Sequence, residues 1–317
     1  MGGPVLRAAT RGSTLARAQT SMVAELLAGA DAETGRGDVV VEPVVVDTAG
    51  DRRTDVPIWE LGGQGVFVKE VQAAVLDGRA DIAVHSAKDL PSLAAEGLVI
   101  AAVPTRGDPR DALVGGTLAA LPSGARIGTG SVRRRAQLAW LRPDLTFAGL
   151  RGNMETRLAK ASGFDAIVVA AAALQRLGRS AEISEVLDPA LVVPQVGQGA
   201  LAIECRADDD ATRALLAAID HRPSRLAVEA ERAFLREVGG SCDLPVGAYA
   251  TVTGDGESLS IRLEGLIATG DGRIVLRQQD ESDDPDALGR RVARHLLDEA
   301  GGANLLDAGL APAPALG

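Results

Sequence analysis

The hydrophobic pattern changes period along this chain, and the changes divide it. Over the first hundred residues, short apolar runs alternate with stretches whose apolar positions recur at helical spacing. Residues 5–10 form the first run. It passes through Arg11-Gly12-Ser13, a turn with an N-capping residue, into a helix predicted over 15–27. Residues 39–47 form a second run, rich in β-branched side chains as buried strands are. The segment 48–65 is polar, carries Pro57 and ends in Gly62-Gly63-Gln64-Gly65. A connection this long in a compact domain is usually functional or disordered, and its place between a strand and a helix predicts a mobile lid. A helix over 67–76 and strands over 81–85 and 98–103 follow.

A boundary is expected near 104–109, after which a second strand–helix series begins. Its strands are predicted at 126–129, 146–150 and 166–170, and its helices at 132–141, 154–161 and 172–177. Gly197-Gln198-Gly199 reads as a second crossing point, because 200–204 is again strand-like; helices over 208–219 and 224–238 come next. From Pro245 the period becomes 2, with strands at 247–252, 259–266 and 273–278 and a closing helix over 287–299; the small, proline-bearing tail 311–317 reads as frayed. The pattern predicts two α/β lobes and a smaller C-terminal α+β domain. In residues, 1–104 completed by 199–221 form the first lobe, 105–198 the second, and 222–317 the third domain.

Composition narrows the chemistry. The 317 residues include 43 acids against 33 bases, a formal net charge of −10, which argues against a nucleic-acid or anionic-membrane binder. Aromatics make only 2% of the chain, so the core must be aliphatic. Lys69, Lys88 and Lys160 are the only lysines, and every other base is arginine, which can reflect no more than genome composition. The N-terminus lacks the basic, apolar and cleavage regions of a secretory signal, and no apolar stretch reaches the ~18–20 residues that cross a bilayer. The expectation is a soluble cytoplasmic protein.

Polar residues gather where predicted strands end, the position at which open α/β sheets bind ligands. Arg11 and Ser13 follow the first strand; Ser86, Lys88 and Asp89 follow the strand at 81–85; Ser131, Arg133 and Arg134 follow the strand at 126–129; Arg151 follows the next. From Arg126 to Arg157 seven arginines face two acids, Asp144 and Glu155. The helix opening at Val132 adds unpaired N–H groups and a positive dipole end, and guanidiniums take carboxylate or phosphate in bidentate fashion. Adjacent Arg133 and Arg134 cannot share one helical face fully, so one is expected to face the ligand and the other to reach round the edge. The glycines do not spell a phosphate loop or a dinucleotide fingerprint, although Gly128-Thr129-Gly130-Ser131 stands well for an anion.

Three histidines (His85, His221, His295) and two cysteines show no metal-ligand spacing, so no metal is expected. Cys205, at a strand end, reads as structural, and His85 as a core residue. Cys242 lies in Gly239-Gly240-Ser241-Cys242-Asp243-Leu244-Pro245, a tight loop where a thiol is open to covalent chemistry. Lys88-Asp89 is either a surface ion pair or an acid/base group.

At these residues the chain resembles the porphobilinogen deaminase (hydroxymethylbilane synthase) family. The shared blocks are Ala9-Thr10-Arg11-Gly12-Ser13, Gly65-Val66-Phe67-Val68-Lys69-Glu70, and Ala80 to Pro91 with His85-Ser86-Ala87-Lys88-Asp89. They continue through Asp108-Pro109-Arg110-Asp111-Ala112, Gly128 to Arg134, Leu150-Arg151-Gly152-Asn153, Val196 to Arg206, and the Cys242 loop, in order over nearly the whole chain. The resemblance implies periplasmic-binding-protein-like lobes and a third domain bearing the cysteine. It implies a monomeric deaminating transferase of porphyrin and haem biosynthesis that joins four porphobilinogen molecules into hydroxymethylbilane, releasing ammonia. It implies a dipyrromethane cofactor, attached through a thioether to Cys242 and retained as a primer for the growing polypyrrole chain.

Residue by residue, the resemblance implies that Asp89 is catalytic, hydrogen-bonding pyrrole N–H groups and stabilising the cation formed as the amine leaves. Lys88, Ser131, Arg133 and Arg134 would hold the cofactor together with Asp89 and Cys242. Arg11, Ser13, Arg151, Arg157 and Arg176 would bind substrate carboxylates, and Gly62, Gly63, Gln64 and Phe67 would belong to the lid. The chain departs from the family pattern at Glu60 and Gln64, where the lid often carries lysines, and at Glu155 and Ser241. Gly130 replaces a frequent serine, losing a hydroxyl while keeping the N–H. Two other readings compete: a two-lobed solute-binding protein for an anionic ligand, which would need no cysteine and would expect an export signal, and a redox or metal protein built on Cys205 and Cys242.

Overall fold

The computed structural model describes residues 4–34, 39–48, 65, 68–239, 244–256 and 258–309. The Cys242 loop, with Ser241, and the lid positions Glu60, Gly62, Gly63, Gln64 and Phe67 lie outside them. The chain divides into two compact units: Met1–Gly107 with Gln175–Gly178 and Gly199–Arg225, and Asp108–Leu174 with Arg179–Gln198 and Leu226–Gly317.

The first unit is an α/β lobe on a five-stranded sheet, ordered β2-β1-β3-β10-β4. Its strands are β1 (Val5–Arg11), β2 (Val40–Val46), β3 (Ile82–Ser86), β4 (Leu98–Ala102) and β10 (Leu201–Arg206). β1 runs parallel to β2 and β3, whereas β10 is antiparallel to both β3 and β4. Helix α1 (Thr14–Thr34) buries Ala16, Gln19, Thr20, Val23 and Leu27, a stripe at helical spacing. It outruns its predicted end by a further turn or more. One face of the sheet packs Leu6, Ala8, Ile82, Val84 and Ile203 with Val23 and Leu27. The other packs Ala9, Ala83 and Leu98 with Val71, Ala74 and Val75 of α2 (Lys69–Leu76).

The second unit holds a second α/β lobe and the C-terminal domain. The lobe's sheet is ordered β7-β6-β8-β5-β9, with β5 (Asp111–Val114), β6 (Arg126–Gly128), β7 (Thr146–Ala148), β8 (Ala166–Ala170) and β9 (Glu185–Val186). β5 and β9 carry no helical or alternating signature and are absent from the sequence expectation; β5 pairs antiparallel with both β8 and β9. Helix α3 (Val132–Leu141) matches its predicted range, fixed by Ser131, whose Oγ accepts from Arg134 N at 3.4 Å. Asn153 caps α4 (Met154–Ala159) likewise, accepting from Thr156 N at 2.9 Å. Helix α5 (Ala171–Arg176) follows β8.

Helix α6 (Asp210–Leu216) belongs to the first unit, and α7 (Arg222–Val238) leads into the C-terminal domain. There β11 (Val246–Asp255), β12 (Ser258–Ala268) and β13 (Val275–Ser282) form an antiparallel sheet in sequence order. Phe234, Ile261, Leu263, Leu288, Val292 and Leu296 fill its core. The closing helix is α8 (Pro285–Arg294), capped by Asp284; a π turn (His295–Glu299) and α9 (Gly302–Gly309) extend it beyond the predicted end. No helix among the described residues is long and apolar enough to cross a membrane.

Candidate functional site

Those predicted site residues that are described fall into one set in each unit. In the first unit, β1 and β3 are adjacent and parallel, so their carboxyl ends bring Arg11 and Ser13 beside Ser86, Lys88 and Asp89. Ser13 caps α1, its Oγ accepting from Ala16 N at 3.3 Å. Ala87–Asp89 form one turn of 3-10 helix directly after β3, and Lys88 and Asp89 are half-buried in it. That turn is held from two sides. Ala87 N donates to Ala200 O at 3.0 Å, and Gln19 Nε2 on α1 donates to Ser86 Oγ at 2.8 Å. Arg176 also comes to this set: its Nη2 donates to Gly199 O at 2.6 Å, next to the Ala200 that anchors Ala87. Burial pushes the Arg176 guanidinium down to about 10, because a carbonyl replaces the water around the charge but brings no negative charge.

Sequence reasoning passed over Gln19. The available signal was an amide at a core-facing position in a helix stripe otherwise made of small and apolar residues. On the opposite face of this sheet His85 is buried, with Nε2 3.1 Å from Glu204 Oε2 but not aligned for a hydrogen bond. Gln72 Nε2 donates to the same carboxylate at 2.8 Å, so His85 is a core residue as expected.

In the second unit the parallel pair β6–β7 places Ser131, Arg133 and Arg134 beside Arg151 and Arg157. Arg151 and Arg157 are half-buried, and Arg157 Nε donates to Gly152 O at 2.8 Å. Arg133 and Arg134 do not divide between a ligand face and an edge, as their helical positions suggested. Both turn inward, 2% and 5% exposed, onto one carboxylate. Arg133 Nη2 donates to Asp111 Oδ2 at 2.8 Å, and Arg134 Nε to Asp111 Oδ1 at 2.9 Å. The long guanidinium arms reconverge because neither charge can be buried without a counter-charge.

Asp111 is itself fully buried at the start of β5, and Gln198 Nε2 donates to its Oδ1 at 2.8 Å. Burial alone would push this carboxyl up, but the two guanidiniums and the Gln198 amide hold it well below the usual range. Burial likewise draws Arg133 below its ordinary value, against the pull of Asp111. A depressed folded-state value means that the stabilisation is complete above the unfolded carboxyl's ~3.9 and is lost as pH falls through the folded value. Acid unfolding should therefore steepen below about pH 4 in the wild type, by up to ~1.4 kcal/mol per pH unit from this group. It should be shallower in Asp111→Asn. Denaturant melts at pH 5 to 2 check this, and equal slopes in the two proteins would rule it out.

Gly130 has a structural reason that the sequence could not show. A Cβ there would stand 2.9 Å from Leu150 O, where the loops after β6 and β7 touch. Gly130→Ser should lower the melting temperature, at a cost of ~1–3 kcal/mol for the forced shift. A melting temperature equal to or above that of the wild type would count against this contact.

Residues 6–214 match the family model described as the porphobilinogen deaminase dipyromethane cofactor binding domain, and 225–298 match the model of that enzyme's C-terminal domain. The chain belongs to the porphobilinogen deaminase family. A porphobilinogen deaminase of Roseiflexus sp. (strain RS-1) is 49% identical over 302 residues, 93% of this chain and 97% of that protein. One from Brevibacillus brevis is 47% identical over 92% of this chain and 94% of that protein, and one from Acidothermus cellulolyticus 48% over 96% and 92%. Like the family, it is a hydroxymethylbilane synthase: it condenses porphobilinogen units into hydroxymethylbilane with loss of ammonia, and it binds a dipyrromethane cofactor. The family's architecture of two α/β lobes and a smaller α+β domain is the one described above, and the solute-binding alternative falls away.

Proposed function

We propose that the dipyrromethane is carried as a thioether on Cys242, and that the strand-end residues of each lobe take carboxylates of the cofactor or of the growing polypyrrole chain. The observation that carries this reading is the donor set: each lobe gathers cationic and hydroxyl side chains at the carboxyl ends of adjacent parallel strands, in a protein of net charge −10. The residues suit the group. A dipyrromethane built from two porphobilinogen units brings two acetates and two propionates. The second unit offers Ser131, Arg133, Arg134, Arg151 and Arg157, with Arg133 Nε buried and lacking a hydrogen-bond partner among the described residues. When bound, the group supplies a free pyrrole carbon to which the next unit is joined.

The chain's own residues then bind, orient and stabilise. Ser131, Arg133, Arg134 and Lys88 hold cofactor carboxylates, and Arg11, Ser13, Arg151, Arg157 and Arg176 take those of incoming and added units. Arg176 suits this role because a desolvated guanidinium set against the Gly199 carbonyl gains most from an anion. Asp89, fixed by the 3-10 turn, accepts from pyrrole N–H groups and opposes the positive charge that develops on the substrate as the C–N bond breaks. The lid is assigned to Gly62, Gly63, Gln64 and Phe67. The two lobes are assigned to 1–104 with 199–221 and to 105–198, the third domain to 222–317, and the molecule acts as a monomer in the cytoplasm. Intact-mass measurement tests the attachment. Purified protein should exceed its sequence mass by two linked pyrrole units; a folded protein of unmodified mass that still turns over porphobilinogen overturns it.

A further inference from the structure

We propose that Asp111 is the positioning residue of the cofactor site in the second lobe, fixing where both guanidiniums of Arg133 and Arg134 stand. This rests on the reading above that those arginines hold cofactor carboxylates. Asp111 begins a strand that lies between two others in the sheet, and its side chain is wholly buried, so its oxygens cannot wander. Each oxygen serves one arginine: Oδ2 takes Arg133 Nη2, and Oδ1 takes Arg134 Nε together with Gln198 Nε2. The planar guanidinium of Arg134 is then pinned at two further points, Val168 O at 3.0 Å from Nη1 and Gln198 Oε1 at 3.3 Å from Nη2. Arg133 Nη1 is held by Val193 O at 2.5 Å. Gln198 is fixed in turn, its Nε2 donating also to Pro109 O at 2.7 Å.

The charge count of this hub is unequal. Two buried cations share one carboxylate, and Arg133 Nε is a buried donor with no acceptor among the described residues. A buried cluster left with one net positive charge is costly, and a ligand carboxylate is the chemical class that would complete the set. Asp111 therefore does two things. It keeps two like charges side by side in the absence of ligand, and it leaves the pair one negative charge short, so that an anion is taken up at a fixed place.

Three variants separate position from mere charge balance: Asp111→Asn, Arg134→Lys, and Asp111→Asn combined with Gln198→Glu, which moves the carboxylate off β5 to the residue that meets Arg134 Nη2. Each is expressed as the full chain and read by intact mass, melting temperature and KM against kcat. Asp111→Asn should carry the two-pyrrole mass in a fraction reduced by on the order of tenfold, a change that 1.4 kcal/mol produces. The double variant should recover melting temperature but not cofactor loading, because the charge is restored in the wrong place; it also serves if Asp111→Asn alone does not fold. Loading restored together with stability in the double variant would overturn the proposal, as would wild-type loading and KM in Asp111→Asn beside an impaired Arg134→Lys. Wild-type loading in Arg134→Lys would instead sink the reading on which the proposal rests.

Discussion

Asp89→Asn should bind its cofactor, fold as the wild type does, and lose ~10²–10³-fold in kcat, the usual cost of removing one preorganised electrostatic group. The reasoning starts from placement. Asp89 ends a three-residue 3-10 turn whose first residue is tied to Ala200 and whose preceding serine is tied to Gln19. The backbone therefore sets the carboxylate, and an amide of equal size will sit in the same place. Half-buried and at a turn, it should alter stability by no more than ~0.5 kcal/mol. An amide oxygen still accepts from an N–H group, so binding survives. It carries no charge to oppose the cation that develops as ammonia leaves, so kcat falls while KM changes little. Steady-state kinetics on protein verified by mass to carry the cofactor make the measurement, and near-normal kcat would remove Asp89 from the catalytic role.

Cys242→Ser should have the larger effect, with turnover falling to the detection limit and the two-pyrrole mass disappearing. A thiol ionises near pH 8.5 and its thiolate is a strong nucleophile, whereas a serine hydroxyl without an adjacent base is not. Without the bound group the variant loses the stabilisation that a ligand gives the folded state, so it should melt below the loaded wild type while still unfolding cooperatively. Loss of turnover without loss of fold would separate a missing primer from a damaged scaffold. A Cys242→Ser protein that keeps both the added mass and its activity would place the attachment elsewhere.

Much of the architecture was legible because hydrophobic period and caps report local structure. α3 was placed to the residue because Ser131 and the apolar positions after it act locally. β5 was not, since Asp111-Ala112-Leu113-Val114 is too short to show a period and is headed by a charge, the usual mark of a loop. That same charge is the anchor of the arginine hub, so the missed strand and the missed residue share one cause. The inward turn of Arg133 and Arg134 was likewise invisible, because it depends on a carboxylate far away in sequence. Strand direction is the other gap: 200–204 reads as a strand, but nothing in its composition says that it runs against β3 and β4. The residues at strand ends were found because the rule that ligands gather there needs only the order of elements.

That reversed strand has a consequence for how the chain is made. β10 lies inside the first sheet, with Ile82–Ser86 on one side and Leu98–Ala102 on the other. The ribosome delivers it only after the second lobe's strands have all emerged. Until then the nascent first lobe has two strands with unpaired inner edges, β3 and β4, and a gap where Leu201 and Ile203 will complete its aliphatic core. Non-local pairing of this kind slows folding and exposes sticky edges in the interval. The first lobe, although it begins the chain, therefore cannot close its sheet until Leu201–Arg206 has been made.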